Sequence, residues 1–322
     1  MGRKRVVING FGRIGRAILR ALTAGRPERD IDIVAINDIA DPHELAYLFQ
    51  YDSIFGPHPA SVSTDGRKLR VGDRAFDIFQ AQDLSVLDLG TVDYVFECTG
   101  RSDEAAVGLA CGAARVLISG PSAAAELTLV QGANDDLLAD QKLISLGSCT
   151  TNAIAPVLAL LHDKIGLTSA HVTTIHCYTA SQPSIDTPRG GFERSRAAAL
   201  SMVPTTTSAS RLIEAVLPDL GFEPLISSVR VPCPRVSSID LVGTSQTAHS
   251  AGAINSGISD AAGAIIGTIS APVVSSDMAM RPESLIVATP QTQTADRQLR
   301  VFGWYDNEWA YANRMIDAVL LI

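Results

Sequence analysis

Cysteine is scarce in this chain of 322 residues, and the few cysteines present do not suggest a cross-linked or metal-bound protein. Their number is odd and their spacing is not paired, which is typical of free thiols in a reducing cytosol. No cluster of metal ligands is found among the six histidines and the cysteines. We therefore expect a cytoplasmic protein with no bound metal. The cysteines are Cys98, Cys111, Cys149, Cys177 and Cys233.

Excess positive charge and long apolar runs are lacking as well. The net charge of −8 argues against nucleic acid or an anionic membrane as the main partner. A small anionic substrate is compatible with this charge only where basic residues gather locally. The uncharged run 261–276 is too short, and too broken by Gly263, Gly267 and Pro272, to cross a bilayer. The basic start of the chain is followed by too few apolar residues for a secretory signal.

The composition is otherwise ordinary for a globular protein, and the length is sufficient for two domains. In the first half, buried strands are followed by helical patterns, whereas in the second half strands come in clusters. These patterns predict an α/β Rossmann domain with a doubly wound, mostly parallel sheet. They further predict an α+β domain with an antiparallel sheet and helices on one face.

The first half contains a glycine-rich turn between a strand (6–9) and a helical run (16–22). The turn consists of Gly10, Phe11, Gly12, Arg13, Ile14 and Gly15. Its glycines permit close approach of a pyrophosphate, which the helix N-terminus then holds. Asp38 follows the next strand, 23 residues after the last glycine, near the spacing of about 20 at which an acid binds the adenosine ribose. This acid also repels a 2′-phosphate, so the motif favours NAD over NADP.

Three strands of the first half are predicted to end near one another. Strands 93–98 and 115–119 lead to Thr99 and Ser119, and a third strand leads to Cys149. Ligands of open α/β sheets lie outside the carboxyl ends of the strands. We therefore expect these side chains to face one crevice.

Cys149 lies between a strand (142–146) and a helix that runs to Gly166. The partial positive charge at a helix N-terminus is expected to lower the pKa of the thiol and to make a thiolate available near neutral pH. The alternative interpretation is a small buried apolar residue. The flanking Ser, Thr and Asn residues favour the nucleophile, because an apolar core position would not suit their hydrogen-bonding groups.

The second half supplies a candidate base and candidate anion ligands. His176 lies on an alternating strand (171–178) and is either a buried core histidine or the proton acceptor that a cysteine nucleophile requires. Four arginines of this half are either surface charges or part of a local anion site: Arg194, Arg196, Arg230 and Arg235. The irregular segment 179–207 is long for a loop, which is typical of functional loops.

Some weaker predictions concern structure away from these residues. The segment 39–90 is predicted to contain a helix at 43–50 and short antiparallel strands, with His43 and His58 at the surface. The glycine- and alanine-rich run 251–269 is predicted as a weak helix, and a last amphipathic helix is predicted from about residue 308.

Seven motifs, in this order and spacing, resemble phosphorylating glyceraldehyde-3-phosphate dehydrogenase over essentially the whole chain. They occupy residues 10–15, 37–38, 148–152, 173–176, 204–207, 230–232 and 304–308. Ser-Cys-Thr-Thr-Asn and Trp-Tyr-Asp-Asn-Glu are the most specific of them. The resemblance implies an NAD-binding Rossmann domain at 1–148, with the helix at about 308–322 packed back on it. It also implies a catalytic domain at 149–307, with an inter-subunit loop at about 179–207 of a cytoplasmic homotetramer.

The resemblance also implies a glycolytic reaction and roles for individual residues. Cys149 would attack the aldehyde of D-glyceraldehyde 3-phosphate, with His176 as the base, and inorganic phosphate would cleave the resulting thioester to 1,3-bisphosphoglycerate. The expected NAD-binding residues beyond the glycine motif are Asp38, Thr99, Gly100, Ser119, Asn307 and Tyr311. Thr179 and Arg230 would bind the substrate phosphate. The expected ligands of the attacking phosphate are Ser148, Thr150, Arg194, Thr207 and Ser208.

Some positions depart from the family pattern. Leu146-Gly147 stands where the family usually has Asn-Ala, and Ser208 stands where it has glycine. Gln82 replaces an arginine that usually lies over the adenine. The departures around Ser148 and Ser208 leave open a divergent NAD-binding paralogue with a mainly non-catalytic role. A second alternative is erythrose-4-phosphate dehydrogenase, a relative that hydrolyses its thioester and that the segments 306–309 and 312–315 would suit.

Overall fold

The computed structural model describes residues 2–25 and 30–321. These residues form two compact units. The first unit consists of the chain up to Leu129, Asp135–Gly147 and the chain from Tyr311 onward. The second consists of Val130–Asn134 and Ser148–Ala310.

The first unit is an α/β structure. Its strands are β1 (Lys4–Asn9), β2 (Ile31–Asn37), β3 (Tyr51–Asp52), β4 (Gly56–Pro57), β5 (Val62–Thr64), β6 (Lys68–Val71), β7 (Arg74–Phe79), β8 (Val92–Glu97), β9 (Ala113–Ile118), β10 (Leu127–Thr128) and β11 (Leu143–Ser145). Its helices are α1 (Arg13–Arg20), which continues into a π-helical turn (Ala21–Gly25), α2 (Pro42–Gln50) and α3 (Val107–Ala110).

Within the described residues, nine of these strands form one sheet in the order β10-β11-β9-β8-β1-β2-β7-β6-β5. The pairs from β10 to β7 are parallel, and β5, β6 and β7 pair antiparallel. The inner strands are continuous apolar runs because both faces of a parallel sheet are covered. β2 and β8 lie on opposite sides of β1, so the strand order reverses beside the carboxyl end of β1. This is where α/β sheets bind ligands.

The second unit is built on a mixed sheet. Its strands are β12 (Leu167–Cys177), β13 (Val203–Thr205), β14 (Leu225–Val231), β15 (Ser237–Ser245), β16 (Ile266–Ile269), β17 (Leu285–Ala288), β18 (Gln293–Ala295) and β19 (Gln298–Tyr305). Its helices are α4 (Cys149–Ile165), α5 (Ala209–Val216) and α6 (Ala251–Asp260), and α7 (Trp309–Leu321) begins in this unit. In the described chain, short 3₁₀ helices cover Leu84–Val86, Ser102–Glu104, Asp135–Leu137, Glu193–Ser195, Ser275–Met278 and Thr289–Gln291.

The sheet of the second unit has the order β13-β14-β12-β15-β19-β17-β16, with β18 also on β19. Most pairs are antiparallel, whereas β12 pairs with β14 and β16 pairs with β17 in parallel. Apolar residues of α4, α5 and α6 form one core with Leu167, Ala170 and Val172 of β12. The two-domain fold class, α/β Rossmann plus α+β, is confirmed.

Two local predictions are wrong. The run 251–269 is not one weak helix: α6 ends at Asp260, and Ile266–Ile269 forms β16 beside β17. Partner strands distant in sequence decided this conformation over local propensity. His58 is buried rather than at the surface, because its ring packs 5.0 Å from that of Phe49 and its Nε2 atom lies 3.0 Å from the Thr23 hydroxyl.

Candidate active site and nucleotide pocket

Cys149 is the first residue of α4. Ser148 is the N-cap, since its backbone is extended and its hydroxyl accepts a hydrogen bond from the Thr151 N–H at 3.1 Å. Gly147 turns the chain from β11 into this cap with a φ of +62°, a conformation that glycine adopts without strain. Leu146, which replaces a polar residue of the family pattern, is fully buried. The nucleophile is therefore positioned by a regular strand–turn–helix junction.

His176 faces the nucleophile. Its Nε2 atom lies 3.5 Å from the sulfur of Cys149, and its side chain is almost completely buried near the end of β12. Its Nδ1 atom lies 2.6 Å from the carbonyl oxygen of Cys177. A carbonyl only accepts hydrogen bonds, so this short contact assigns the proton to Nδ1. Nε2 then has the free lone pair and can accept the proton of the thiol.

The pKa of the Cys149 thiol is shifted in the direction opposite to the sequence prediction. Burial raises the pKa of the Cys149 thiol, although the charge of Arg230 and hydrogen bonds from Thr150 oppose this effect. The expected lowering of the thiol pKa at the helix N-terminus is therefore wrong, because desolvation outweighs the favourable groups. Burial, and then the charge of Arg230, lowers the pKa of His176 to about 4. The imidazole is thus neutral near pH 7, and thiolate forms by proton transfer to it.

A buried chain of hydroxyls lies behind the nucleophile. The Tyr305 hydroxyl lies 3.1 Å from that of Thr150 and 2.8 Å from that of Thr174. The ring of Tyr305 packs edge-on to the imidazole of His176, with centroids 6.0 Å apart. The sequence motif Trp-Tyr-Asp-Asn-Glu includes Tyr305, but its spacing alone did not identify this contact. Thr150, a predicted phosphate ligand, is buried with its hydroxyl on Tyr305.

Arg230 provides a positive charge next to the catalytic pair. Its Nη1 donates to the Cys177 carbonyl at 2.9 Å and to the Thr179 hydroxyl at 3.3 Å. The Thr179 hydroxyl also lies 2.9 Å from that of Ser181. A guanidinium with hydroxyls beside it is suited to bind a phosphate. The structure therefore brings together the two residues predicted for the substrate phosphate.

The residues predicted for the attacking phosphate lie on different elements. Ser148 and Thr150 are at the start of α4, Arg194 lies in the 3₁₀ helix Glu193–Ser195, and Ser208 is the N-cap of α5. Arg194 donates to the hydroxyls of Thr205 at 2.9 Å and Thr206 at 2.6 Å, whereas the Thr207 hydroxyl accepts from the Ala209 N–H at 3.2 Å. Ser208 has helical dihedral angles (φ −66°, ψ −19°), so the family's glycine is not needed for this backbone. The phosphate-binding roles of these residues stay predictions.

The first unit contains a cavity of about 470 Å³ at the carboxyl ends of β1, β2 and β8. Gly10 follows β1 with a φ of +93°, and a Cβ atom there would lie 2.5 Å from the Cys98 carbonyl carbon. Gly12 is the N-cap of α1, and a Cβ atom there would meet no atom within 4 Å. A ligand in the cavity can therefore approach the backbone of Gly12 closely. Predicted NAD-binding residues that line the cavity are Gly10, Gly12, Asp38 and Thr99. Gln82, which replaces the family's arginine, also lines it.

The Asp38 carboxylate is held at the edge of this cavity. It accepts hydrogen bonds from the Phe11 N–H at 2.7 Å and the Ala40 N–H at 2.9 Å. Arg13, at the start of α1, forms an ion pair with Asp52 at 2.5 Å. A fixed carboxylate, an uncapped helix N-terminus and an open glycine turn fit the ribose and pyrophosphate of a dinucleotide. The remaining motif residues, Ile14 and Gly15, lie within α1.

A buried acid that sequence reasoning missed lies beneath the cavity. Glu97, the last residue of β8, accepts from the Asn9 side chain at 2.6 Å and the Thr99 N–H at 2.8 Å. The Ser119 N–H donates to the Glu97 carbonyl at 2.9 Å, so Thr99 and Ser119 lie at neighbouring strand ends as predicted. Gly100 follows Thr99 with a positive φ. That Cys149 faces the same crevice as Thr99 and Ser119 stays a prediction.

Two predicted cofactor ligands are nearly buried. The Asn307 side-chain oxygen, in the second unit, accepts from the Cys177 thiol at 3.1 Å. The Tyr311 hydroxyl, in the first unit, donates to the Gly147 carbonyl at 2.9 Å. Sequence reasoning did not identify the second contact, which fixes the turn before Ser148.

Neither a metal site nor a membrane-spanning helix is found within residues 2–25 and 30–321. In that part of the chain, no group of three or more His, Cys, Asp or Glu side chains is placed to hold a metal ion. No helix within it has the length and apolar character needed to cross a membrane.

Comparison with known proteins agrees with both units. Residues 4–105 match the family "Glyceraldehyde 3-phosphate dehydrogenase, NAD binding domain", and residues 148–307 match "Glyceraldehyde 3-phosphate dehydrogenase, C-terminal domain". The glyceraldehyde-3-phosphate dehydrogenase of Xanthobacter flavus is 42% identical, with 98% of this chain and 97% of the relative covered. That of Pseudomonas aeruginosa is 40% identical, with 99% and 98% covered. Full-length similarity at this level establishes that the chain belongs to the glyceraldehyde-3-phosphate dehydrogenase family, and its cofactor is NAD.

Proposed function

We propose that the chain catalyses NAD-dependent oxidation and phosphorylation of D-glyceraldehyde 3-phosphate to 1,3-bisphosphoglycerate. The observation that supports this most directly is the 3.5 Å contact between the Cys149 sulfur and His176 Nε2. A nucleophile in contact with a neutral base is the arrangement that covalent aldehyde chemistry requires. The relatives are named glyceraldehyde-3-phosphate dehydrogenase, which favours this substrate over erythrose 4-phosphate.

The reaction begins with proton transfer from the Cys149 thiol to His176. The sulfur then forms a bond to the aldehyde carbon, and the former carbonyl oxygen takes the proton back from His176 to give a neutral thiohemiacetal. The backbone N–H of Cys149, at the N-terminus of α4, would stabilise the developing oxyanion. Covalent attack has to come first, because a hydride can leave only from a tetrahedral carbon that bears hydrogen.

Oxidation and phosphorolysis complete the cycle. NAD, when bound, supplies the hydride acceptor for the thiohemiacetal carbon. His176 takes the hydroxyl proton in this step, which leaves a thioester on Cys149. The oxygen of inorganic phosphate then attacks the thioester carbon, and the carbon–sulfur bond breaks. The acyl phosphate departs, and the released thiolate takes the proton held by His176, which restores the thiol and the neutral imidazole.

Two anion sites are assigned to the two phosphates. Arg230 and Thr179 would bind the phosphate of the aldehyde substrate. Their hydrogen bond at 3.3 Å and the position of Arg230 next to the base support this assignment. Arg194 and Thr207, together with Ser148, Thr150 and Ser208, would bind the attacking phosphate. Asn307 and Tyr311 would contact the nicotinamide end of the cofactor.

The domain assignment, the assembly and the location are part of the same proposal. Residues 1–148 and the helix at about 308–322 would form the NAD-binding domain, and 149–307 the catalytic domain. We infer a cytoplasmic homotetramer in which the segment 179–207 lies between subunits. Exposed apolar side chains in this segment support that inference, since Phe192 is 96% and Leu200 86% exposed.

The deciding experiment compares kcat/KM for the two aldehyde phosphates with and without inorganic phosphate. The proposal expects NAD reduction with glyceraldehyde 3-phosphate to depend strongly on inorganic phosphate. Turnover of erythrose 4-phosphate that does not depend on phosphate would instead identify a hydrolysing enzyme. No NAD reduction with either aldehyde, together with ordinary alkylation of Cys149, would indicate a non-catalytic paralogue.

A further inference from the structure

Cys177 makes a side-chain contact that its place in the sequence does not suggest. It is the last residue of β12, directly after the base His176. Its sulfur lies 3.1 Å from the side-chain oxygen of Asn307, well within the range of a sulfur hydrogen bond. The thiol is fully buried, and Asn307 is only 8% exposed. The two side chains therefore form a contact from which water is largely excluded.

The backbone of Cys177 is held from both sides. Its N–H donates to the hydroxyl of Ser237 at 3.1 Å, and its carbonyl accepts from Arg230 at 2.9 Å and from His176 Nδ1 at 2.6 Å. The sulfur thus has little freedom to move relative to the base. The side chain of Asn307, which accepts a hydrogen bond from this sulfur, is therefore also held in a fixed position relative to the base.

The chemistry of the two groups sets the direction of the hydrogen bond. Burial raises the pKa of the Cys177 thiol to about 12, so it is protonated near neutral pH and can donate. An amide oxygen only accepts, whereas the amide nitrogen only donates. The thiol therefore selects the amide orientation with the oxygen toward Cys177. Among the described residues, no hydrogen bond occupies the amide nitrogen of Asn307, which is left available as a donor.

We infer that Cys177 is a positioning residue for the cofactor: its thiol fixes the amide of Asn307 so that the side-chain nitrogen is presented to the carboxamide oxygen of the nicotinamide. This inference rests on the proposed function, in which Asn307 contacts the nicotinamide. Cys177 itself contacts no reacting atom. A mutation at Cys177 should therefore alter recognition of the nicotinamide end of NAD and leave the adenosine end unaffected.

The test compares binding of NAD with binding of ADP-ribose, which lacks the nicotinamide, by titration calorimetry on the full chain. Cys177→Ala removes the donor and is expected to weaken NAD binding by about threefold to tenfold, with ADP-ribose binding unchanged. Cys177→Ser keeps a donor and should restore most of the NAD affinity. Cys111→Ala, at a half-buried thiol bonded to the Gly108 carbonyl, is the matched control and should change neither affinity.

Two further variants complete a double-mutant cycle between the thiol and the amide. They are Asn307→Ala and the double variant that combines Asn307→Ala with Cys177→Ala. If the thiol acts through the amide, the double variant binds NAD no more weakly than Asn307→Ala alone. Equal loss of NAD and ADP-ribose affinity in Cys177→Ala, or additive losses in the double variant, would overturn the inference. An NAD effect without rescue by serine would overturn it too. Binding needs neither aldehyde nor phosphate, so failure of the proposed reaction would be recognised separately.

Discussion

The guanidinium of Arg230 lies 3.2 Å from Nδ1 of His176. A fixed positive charge at this distance disfavours the imidazolium, and burial of the ring acts in the same direction and more strongly. The same guanidinium favours a thiolate at Cys149. One arginine thus adds to the effect of burial on the base and opposes the effect of burial on the nucleophile.

The first prediction concerns stability below neutral pH. The pKa of His176 is about 4 in the folded protein and about 6.5 when unfolded, so the unfolded state binds the proton first as the pH falls. The contribution of His176 to the free energy of unfolding is present above about pH 6.5 and is lost progressively down to about pH 4. The loss is on the order of 3 kcal/mol.

Urea unfolding of the wild type and of His176→Gln at several pH values across this window measures the effect. The variant should show a flatter decline, because its side chain does not titrate. His43→Gln, at an exposed histidine on α2, is the control and should decline like the wild type. Parallel curves for all three proteins would contradict the assigned pKa shift.

The second prediction concerns the reactivity of Cys149. Burial raises the pKa of this thiol and the charge of Arg230 opposes the rise, so Arg230→Gln should move the pH midpoint of iodoacetamide alkylation further upward. Arg230→Lys keeps the charge and should shift it less. Arg300→Gln, which breaks an ion pair with Asp240 elsewhere in the same unit, is the control. An unchanged or lowered midpoint in Arg230→Gln would contradict the effect assigned to the charge of Arg230 on the thiol.

The third prediction concerns the buried hydroxyl chain. Tyr305→Phe leaves the hydroxyls of the buried residues Thr150 and Thr174 without their common partner. The free energy of unfolding should fall by about 1–3 kcal/mol. Urea denaturation measures this change. Tyr47→Phe, at a residue that is 61% exposed, should be neutral, and equal effects of the two substitutions would show that the hydroxyl contacts do not stabilise the fold.

Local sequence patterns predicted the features that depend on neighbouring residues. The junction from β11 to α4 follows from an apolar strand, a capping serine and an apolar helix that ends at Gly166 in the left-handed conformation. The turn after β1 follows from the glycine spacing. These signals place Cys149 and the nucleotide cavity without knowledge of distant contacts.

Features that depend on distant residues could not be predicted in this way. Tyr305 bonds to Thr150, and the two are 155 positions apart, so no periodicity reports the contact. The strand at 266–269 exists because β17 pairs with it. The raised pKa of Cys149 has the same origin: a motif indicates the helix N-terminus, but the degree of burial depends on the whole fold.

The fourth prediction concerns discrimination between NAD and NADP. The Asp38 carboxylate, held by the N–H groups of Phe11 and Ala40, is expected to accept hydrogen bonds from the adenosine ribose and to repel a 2′-phosphate. Asp38→Ala removes both effects. The affinity for NAD should fall about tenfold, and the ratio of NADP to NAD affinity should rise by at least that factor.

Fluorescence titration with both dinucleotides measures these affinities, and two further variants separate the causes. Asp38→Asn keeps an acceptor without the charge, so it should gain NADP affinity while losing less NAD affinity than Asp38→Ala. Asp41→Ala changes a nearby acid that caps α2 through the His43 N–H, and it should leave the ratio unchanged. If Asp41→Ala shifts the ratio of NADP to NAD affinity as much as Asp38→Ala does, the total negative charge near the cavity determines the preference for NAD. If neither shifts it, the carboxylate does not select the cofactor.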